Sequence, residues 1–100
     1  MQDFTKEVLT IIKNIPEGRV MTYGQVARIA GSPRGARQVA RILHSMSRKY
    51  HLPWHRVINA EGKLKIKDEA LYNEQKMSLE SEGVVCTGGR VDLSEYQYRS

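Results

Sequence analysis

Few side chains in this sequence of 100 residues can do covalent chemistry. Cys86 is the only cysteine, and it lies in Val84-Val85-Cys86-Thr87 with no histidine or arginine beside it to hold a thiolate. Two of the histidines, His44 and His51, read as solvated surface residues. His55 differs, because it sits in Pro53-Trp54-His55-Arg56-Val57-Ile58, where an indole, an imidazole and a guanidinium are consecutive. An indole is not a usable nucleophile. Its N–H only donates a hydrogen bond, but its ring offers a broad apolar wall. A lone tryptophan in a small domain is ordinarily a core aromatic, and the flanking Pro53 and His55-Arg56 set Trp54 apart from that default.

The elements that must position this stretch follow from apolar spacing. Phe4, Val8, Ile11, Ile12 and Ile15 predict a first helix, capped by Asp3 and stopped by Pro16 and Gly18. Val20 and Met21 form a short extended link. Thr22 caps a second helix, Tyr23 to Ala30, expected to bury Val26, Ile29 and Ala30 and to stop at Gly31. Ser32-Pro33 is expected to start a third helix running to about Ser47, with Ser32 as N-cap and Pro33 in the first turn. Its apolar face is Ala36, Val39, Ala40, Leu43 and Met46, and its other face carries Arg34, Arg37, Arg41 and Arg48. Two helices joined by a short Gly-Ser turn, the second one basic, make a helix-turn-helix pattern.

A loop then leads to Trp54, Val57-Ile58 reads as a buried extended piece, and Asn59 to Gly62 as a turn. Lys63, Lys65 and Lys67 alternate with Leu64 and Ile66, as in a half-exposed strand or ribbon. A fourth helix is expected from Glu69 to Glu82, supported by Leu71, Met77 and Leu79 and ended by Gly83. Val84, Val85 and the Thr87-Gly88-Gly89 turn suggest a small hairpin. The expected fold class is mainly α: a single helix-turn-helix or winged-helix-like domain over residues 1–100 with minor β structure.

Composition narrows the function classes. Lys plus Arg number 16 against 11 Asp plus Glu, a formal net charge of +5, which favours a polyanionic partner such as nucleic acid. One cysteine permits no internal disulfide and fits a reducing compartment. The N-terminal MQDFTKEVLT lacks a signal pattern, and no apolar run nears the ~20 residues of a membrane span, so a cytoplasmic protein with no membrane partner is expected. In a bacterium it would be nucleoid-associated, in a eukaryote nuclear.

Taken in order, Ile15-Pro16-Glu17-Gly18-Arg19-Val20-Met21-Thr22-Tyr23-Gly24, Gly35-Ala36-Arg37-Gln38-Val39-Ala40 and Pro53-Trp54-His55-Arg56-Val57-Ile58 resemble the C-terminal domain of the O6-alkylguanine-DNA alkyltransferases. The likeness spans nearly the whole chain. That family reads Pro-Cys-His-Arg-Val at its active site, where this chain has Pro53-Trp54-His55-Arg56-Val57. The exchange, with no N-terminal domain ahead of it, resembles the alkyltransferase-like proteins.

The resemblance implies a specific set of roles. The repair enzyme moves an alkyl group from guanine onto a cysteine thiolate. Trp54 excludes that transfer and implies a non-enzymatic protein with no cofactor and no metal. The implied lesion pocket is Tyr23, Trp54, His55, Arg56, Val57 and Lys67. Arg37 matches the finger that fills the gap left by a flipped base, and Tyr23 the tyrosine that pushes on the neighbouring phosphate. The third helix would lie in the minor groove of double-stranded DNA. Thr22, Ser32, Arg34, Ala36, Arg37, Gln38, Arg41 and Arg48 would meet the DNA there. His55 and Glu82, a proton relay in the enzymes, would here be a structural hydrogen-bond pair. The implied function is a monomeric sensor of O6-alkylguanine that directs the lesion to nucleotide excision repair proteins. Two departures stand out: Met46-Ser47 replaces the family's Asn-Pro hinge, and Lys63–Asp68 replaces its Ser/Gly-rich pocket loop.

Two other classes compete. In one the chain is an enzyme, with Cys86 accepting alkyl groups or the pocket supporting glycosylase chemistry; a mass increase after incubation with alkylated oligonucleotide would favour it. In the other it is a helix-turn-helix regulator with a vestigial pocket, which sequence-dependent binding to undamaged DNA would favour.

Overall fold

In the computed structural model, which describes residues 3–99, the stripe Val8, Leu9 and Ile12 buries one side of α1 (Asp3–Lys13). Asp3 is not the residue before the helix but lies in its first turn, where its charge suits the positive end of the helix dipole. Ile15, just past the helix, is only 1% exposed and closes the same core.

Val20 leads into β1 (Met21–Thr22) and then α2 (Tyr23–Ile29). The Thr22 hydroxyl accepts the Gln25 N–H at 3.0 Å, and the Gln25 side chain accepts the Thr22 N–H at 3.3 Å. This is a capping box, which satisfies two backbone donors at the helix start. Gly31, with φ +97°, ends the helix; its N–H donates to the Arg28 carbonyl, and the Ser32 N–H reaches the Ala27 carbonyl. Contrary to expectation, Ile29 is 49% exposed. At 100° per residue, Tyr23, Val26, Ala27 and Ala30 share the inward face, and Ile29 lies roughly 110° away from it.

α3 (Ala36–Met46) starts later than Ser32-Pro33 suggested. Ser32 to Gly35 instead form a β-turn with Pro33 in its second position, closed by the Gly35 N–H donating to the Ser32 carbonyl at 2.9 Å. Val39, Ile42 and Leu43 are the buried residues of α3, with Ala36, Ala40 and Met46 half-buried. Turns then carry the chain to His51, whose φ of +52° is left-handed. The Leu52 N–H reaches back to the Ser47 carbonyl in a Schellman-type closure.

Pro53 (φ −75°, ψ 67°) centres an inverse γ-turn, with the Trp54 N–H donating to the Leu52 carbonyl at 2.8 Å. A 3-10 turn, Trp54–Arg56, follows, and then β2 (Val57–Ile58). β2 pairs in parallel with β1, Met21 opposite Val57 and Thr22 opposite Ile58, which ties the third motif stretch to the start of α2.

Lys63 to Lys67 form no strand. Lys63 makes one antiparallel bridge with Arg90, because β4 beside it is only two residues long. The expected alternation survives in burial, with Leu64 buried and Lys65 and Lys67 exposed. α4 (Glu69–Ser81) is capped by Asp68, and Glu82 follows as its C-cap. Leu71 and Met77 do not support it: they are 45% and 67% exposed, and Gln75 and Leu79 take the inward positions. β3 (Cys86–Thr87) and β4 (Arg90–Val91) form the expected hairpin, and α5 (Leu93–Tyr96) follows it. Two cores result. The larger lies under α1, α2, α3 and Val57. The smaller is built from Val20, Ile58, Leu64, Leu79, Val84 and Val91.

Candidate nucleic-acid interface

Polar residues of the third motif stretch converge on one carboxylate. Glu82 accepts hydrogen bonds from the Arg56 guanidinium (Nη2 at 2.7 Å, Nε at 3.0 and 3.2 Å), from His55 Nε2 at 2.7 Å and from the Gly18 N–H at 3.0 Å. Arg56 also donates through Nη1 to the Ile15 carbonyl at 2.8 Å. Burial alone would raise the Glu82 pKa. The donors from Arg56, His55 and Gly18 outweigh it and hold the carboxyl down to about 2. Glu82 is thereby an anion that ties the 3-10 turn, the end of α4 and the link after α1 together. Gly18 joins through its backbone: its φ is +81°, and a Cβ there would lie 3.2 Å from the Glu82 carbonyl oxygen. The sequence reading paired His55 with Glu82 but missed Ile15 and Gly18, although Gly18 stands in the first motif stretch.

Gln75 is a second residue missed. It is 3% exposed, and its amide donates to the carbonyls of His55 and Val57 at 3.3 and 3.4 Å, fixing the exit of the turn to α4.

With the turn so held, Trp54 rests half-buried on the larger core, and Tyr23 packs against that same core. Burial raises the Tyr23 pKa, so its hydroxyl stays neutral near pH 7 and keeps a proton to donate. Three residues expected to touch a base or DNA do not present their side chains for it. Val57 is 1% exposed and belongs to the core; the Arg56 guanidinium is spent on Glu82 and Ile15; the Thr22 hydroxyl is buried in its cap.

The basic face is different. Arg34, Arg37, Gln38, Arg41 and Arg48 are all exposed, and among the described residues none of these arginines has an ion-pair partner. Arg34 lies in the turn before α3 and Arg48 in the turns after it, with Arg37 and Arg41 on the helix. Ser32 and Ala36 are half-buried beside them. Lys63 and Lys65 are drawn to Glu61 at 3.4 and 3.7 Å, which leaves Lys67 as the exposed lysine of that stretch without a carboxylate. Burial, then the nearby Glu80, raise the Cys86 pKa, which disfavours the thiolate. Among the described residues no cluster of His, Cys, Asp and Glu is arranged to hold a metal, and no helix is long and apolar enough to cross a membrane.

Residues 3–84 match the family described as 6-O-methylguanine DNA methyltransferase, DNA binding domain. The chain belongs to this family. Its relatives include the DNA base-flipping protein of Escherichia coli, 44% identical over 95% of this chain and 74% of that protein. Another is alkyltransferase-like protein 1 of Schizosaccharomyces pombe, 42% identical over 97% of this chain and 89% of that protein. The crystal structure of S. pombe Atl1 in complex with damaged DNA containing O6-carboxymethylguanine superposes with a TM-score of 0.89 at 37% identity, covering 100% of this chain and 98% of that one. The methyltransferase DNA-binding fold is therefore the scaffold that carries Trp54.

Proposed function

We propose that this chain is a non-enzymatic sensor that flips O6-alkylguanine out of duplex DNA and holds it against Trp54. The observation that carries the reading is Trp54 itself. The His55–Glu82 pair that would serve a thiol is intact at 2.7 Å, yet the residue ahead of it is an indole with no leaving or accepting chemistry. The pair is structural here. The exposed arginines around α3 supply phosphate contacts from the minor groove, which give affinity without sequence information. Lesion selectivity then rests on the pocket, with Lys67 facing the edge of the flipped guanine. Relatives named for base flipping and a like-folded protein bound to O6-carboxymethylguanine DNA support the same assignment. Holding the lesion without repairing it calls for a second system to remove it. Excision of the damaged nucleotide is the class of repair that fits, and this chain would act beside it as a monomer.

Arg37 tests the flipping step. Its unpaired, exposed guanidinium extends from the first turn of α3 and is free to fill the gap left in the base stack. Arg37→Ala should weaken lesion binding by roughly 1–3 kcal/mol, since an unfilled gap leaves the unstacking cost of a few kcal/mol uncompensated. Titration of a lesion-containing duplex by fluorescence anisotropy measures it. Unchanged lesion affinity would remove the finger role.

A further inference from the structure

The family match ends at residue 84, yet residues beyond it hold the start of α2. Gln25 is 7% exposed, and its amide makes three hydrogen bonds. Its Nε2 donates to the Tyr98 carbonyl at 2.6 Å, and its Oε1 accepts the Gln97 amide at 2.8 Å as well as the Thr22 N–H. The backbone adds a parallel bridge between Val20 and Gln97: the Val20 N–H donates to the Tyr96 carbonyl at 2.9 Å and the Tyr98 N–H to the Val20 carbonyl at 2.7 Å. Arg19 Nη1 donates to the Glu95 carbonyl at 2.7 Å. Tyr98 then packs its ring on the larger core, the same core that supports Tyr23 and Trp54.

These contacts bracket Tyr23. α2 is only two turns long: Val26 and Ala27 anchor it in the core, and Tyr23, its first residue, stands at the end that the Thr22–Gln25 cap must hold. The second set of bonds, from residues 95–98 to Arg19, Val20 and Gln25, fixes the link into β1 on one side of Tyr23 and the helix on the other. Gln25 belongs to both sets: one amide caps α2 and grips the C-terminal segment. A side chain that must push on a phosphate needs such a rigid base, because a misplacement of ~1 Å can cost about a hundredfold in a geometry-sensitive step.

We propose that Glu95–Tyr98 form a clasp that sets Tyr23 for nucleotide flipping, with Gln25 and Gln97 as positioning residues. This rests on the sensor reading and on the role of Tyr23 within it. The α3 arginines lie outside the clasp, so loosening it should spare binding to undamaged DNA.

The test compares wild type with Gln97→Ala, Gln25→Leu and Tyr23→Ala, each alone, and with each glutamine change combined with Tyr23→Ala. Affinities are measured for a duplex with one O6-methylguanine and for its unmodified twin. A fluorescent purine placed 3′ of the lesion reports unstacking, and thermal unfolding reports the fold. Each glutamine change should lower the lesion-over-undamaged ratio by about fivefold to tenfold, the worth of about one hydrogen bond, and should reduce the unstacking signal. Undamaged affinity should stay within about twofold, since the phosphate contacts are untouched. Combined with Tyr23→Ala, neither glutamine change should lower the ratio further. Gln97 is only half-buried, so Gln97→Ala decides the matter if Gln25→Leu does not fold. If Tyr23→Ala lowers the ratio and Gln97→Ala does not, the clasp is refuted while the role of Tyr23 stands. Fully additive losses also refute it. If Tyr23→Ala itself leaves the ratio intact, the flipping role of Tyr23 falls and the clasp with it.

Discussion

Glu82→Gln should destabilise the fold by about 3–5 kcal/mol, because it leaves a largely buried guanidinium with only the solvent-exposed Glu17 carboxylate, 4.0 Å away, as counter-charge. The Arg56 side chain is 13% exposed and that of Glu82 11%, and their fork is the most desolvated ion pair among the described residues. Glutamine keeps the shape and one acceptor, but not the charge that holds Arg56, His55 and the Gly18 N–H together. The same carboxylate sets an acid limit. Its pKa is about 2 in the fold against 4.5 in the free side chain, so the unfolded chain takes up its proton first. Its contribution is complete above pH 4.5 and is lost as the pH falls from there towards about 2. Urea denaturation at neutral pH should show the drop in midpoint. Repeated between pH 5 and 2, it should show wild-type stability falling more steeply than that of the variant. Equal midpoints at neutral pH would mean that the cluster adds nothing to the fold.

Trp54→Ala should lower lesion affinity in proportion to the adduct. Apolar burial is worth roughly 25 cal/mol per Å², so a bulky O6-alkyl group should lose more than a methyl group, and undamaged DNA least of all. Isothermal titration with a series of adducts on one duplex measures the trend; a loss equal for every adduct would place Trp54 in the core and not in the pocket. Trp54→Cys probes the other half of the argument. His55 and Glu82 are hydrogen-bonded at 2.7 Å, so the relay for a thiol is present. Transfer should still be little or none, since attack needs in-line geometry and an error of ~1 Å costs about a hundredfold. The proposed site is built around an indole, and a sulfur introduced at the same backbone position is not thereby in line with the alkyl carbon. Stoichiometric methylation of the introduced cysteine, seen by mass spectrometry, would overturn this and make the missing thiol the whole difference from the repair enzymes.

Local signals carried much of the fold. Thr22 and Gly31 mark the ends of α2 because capping and left-handed closure are decided within a few residues. The arginine face of α3 follows from periodicity alone. Errors arose where two local rules competed: Ser32-Pro33 satisfies a helix start and a β-turn equally, and the Gly31 closure before it selected the turn. Long-range pairings were invisible. The union of β1 with β2 involves two residues on each side, too short for any alternation to register. The grip of Gln25 on Gln97 and Tyr98 joins residues 72 and 73 apart, with no spacing rule to reveal it. In the site, the third motif stretch named His55 and Arg56 and the family resemblance supplied Glu82, but a motif assigns residue types and not directions. Arg56 and Val57 turned inward because a buried carboxylate and an apolar core competed for them more strongly than solvent.

The central claim is that this chain recognises an alkylated base and not a sequence. Two duplexes identical but for a single O6-methylguanine, titrated at physiological salt, test it most directly. The account predicts tighter binding to the modified duplex, and the same preference when the flanking sequence is changed. Equal affinity for the two duplexes, or a preference that follows the flanking sequence and ignores the methyl group, would contradict it.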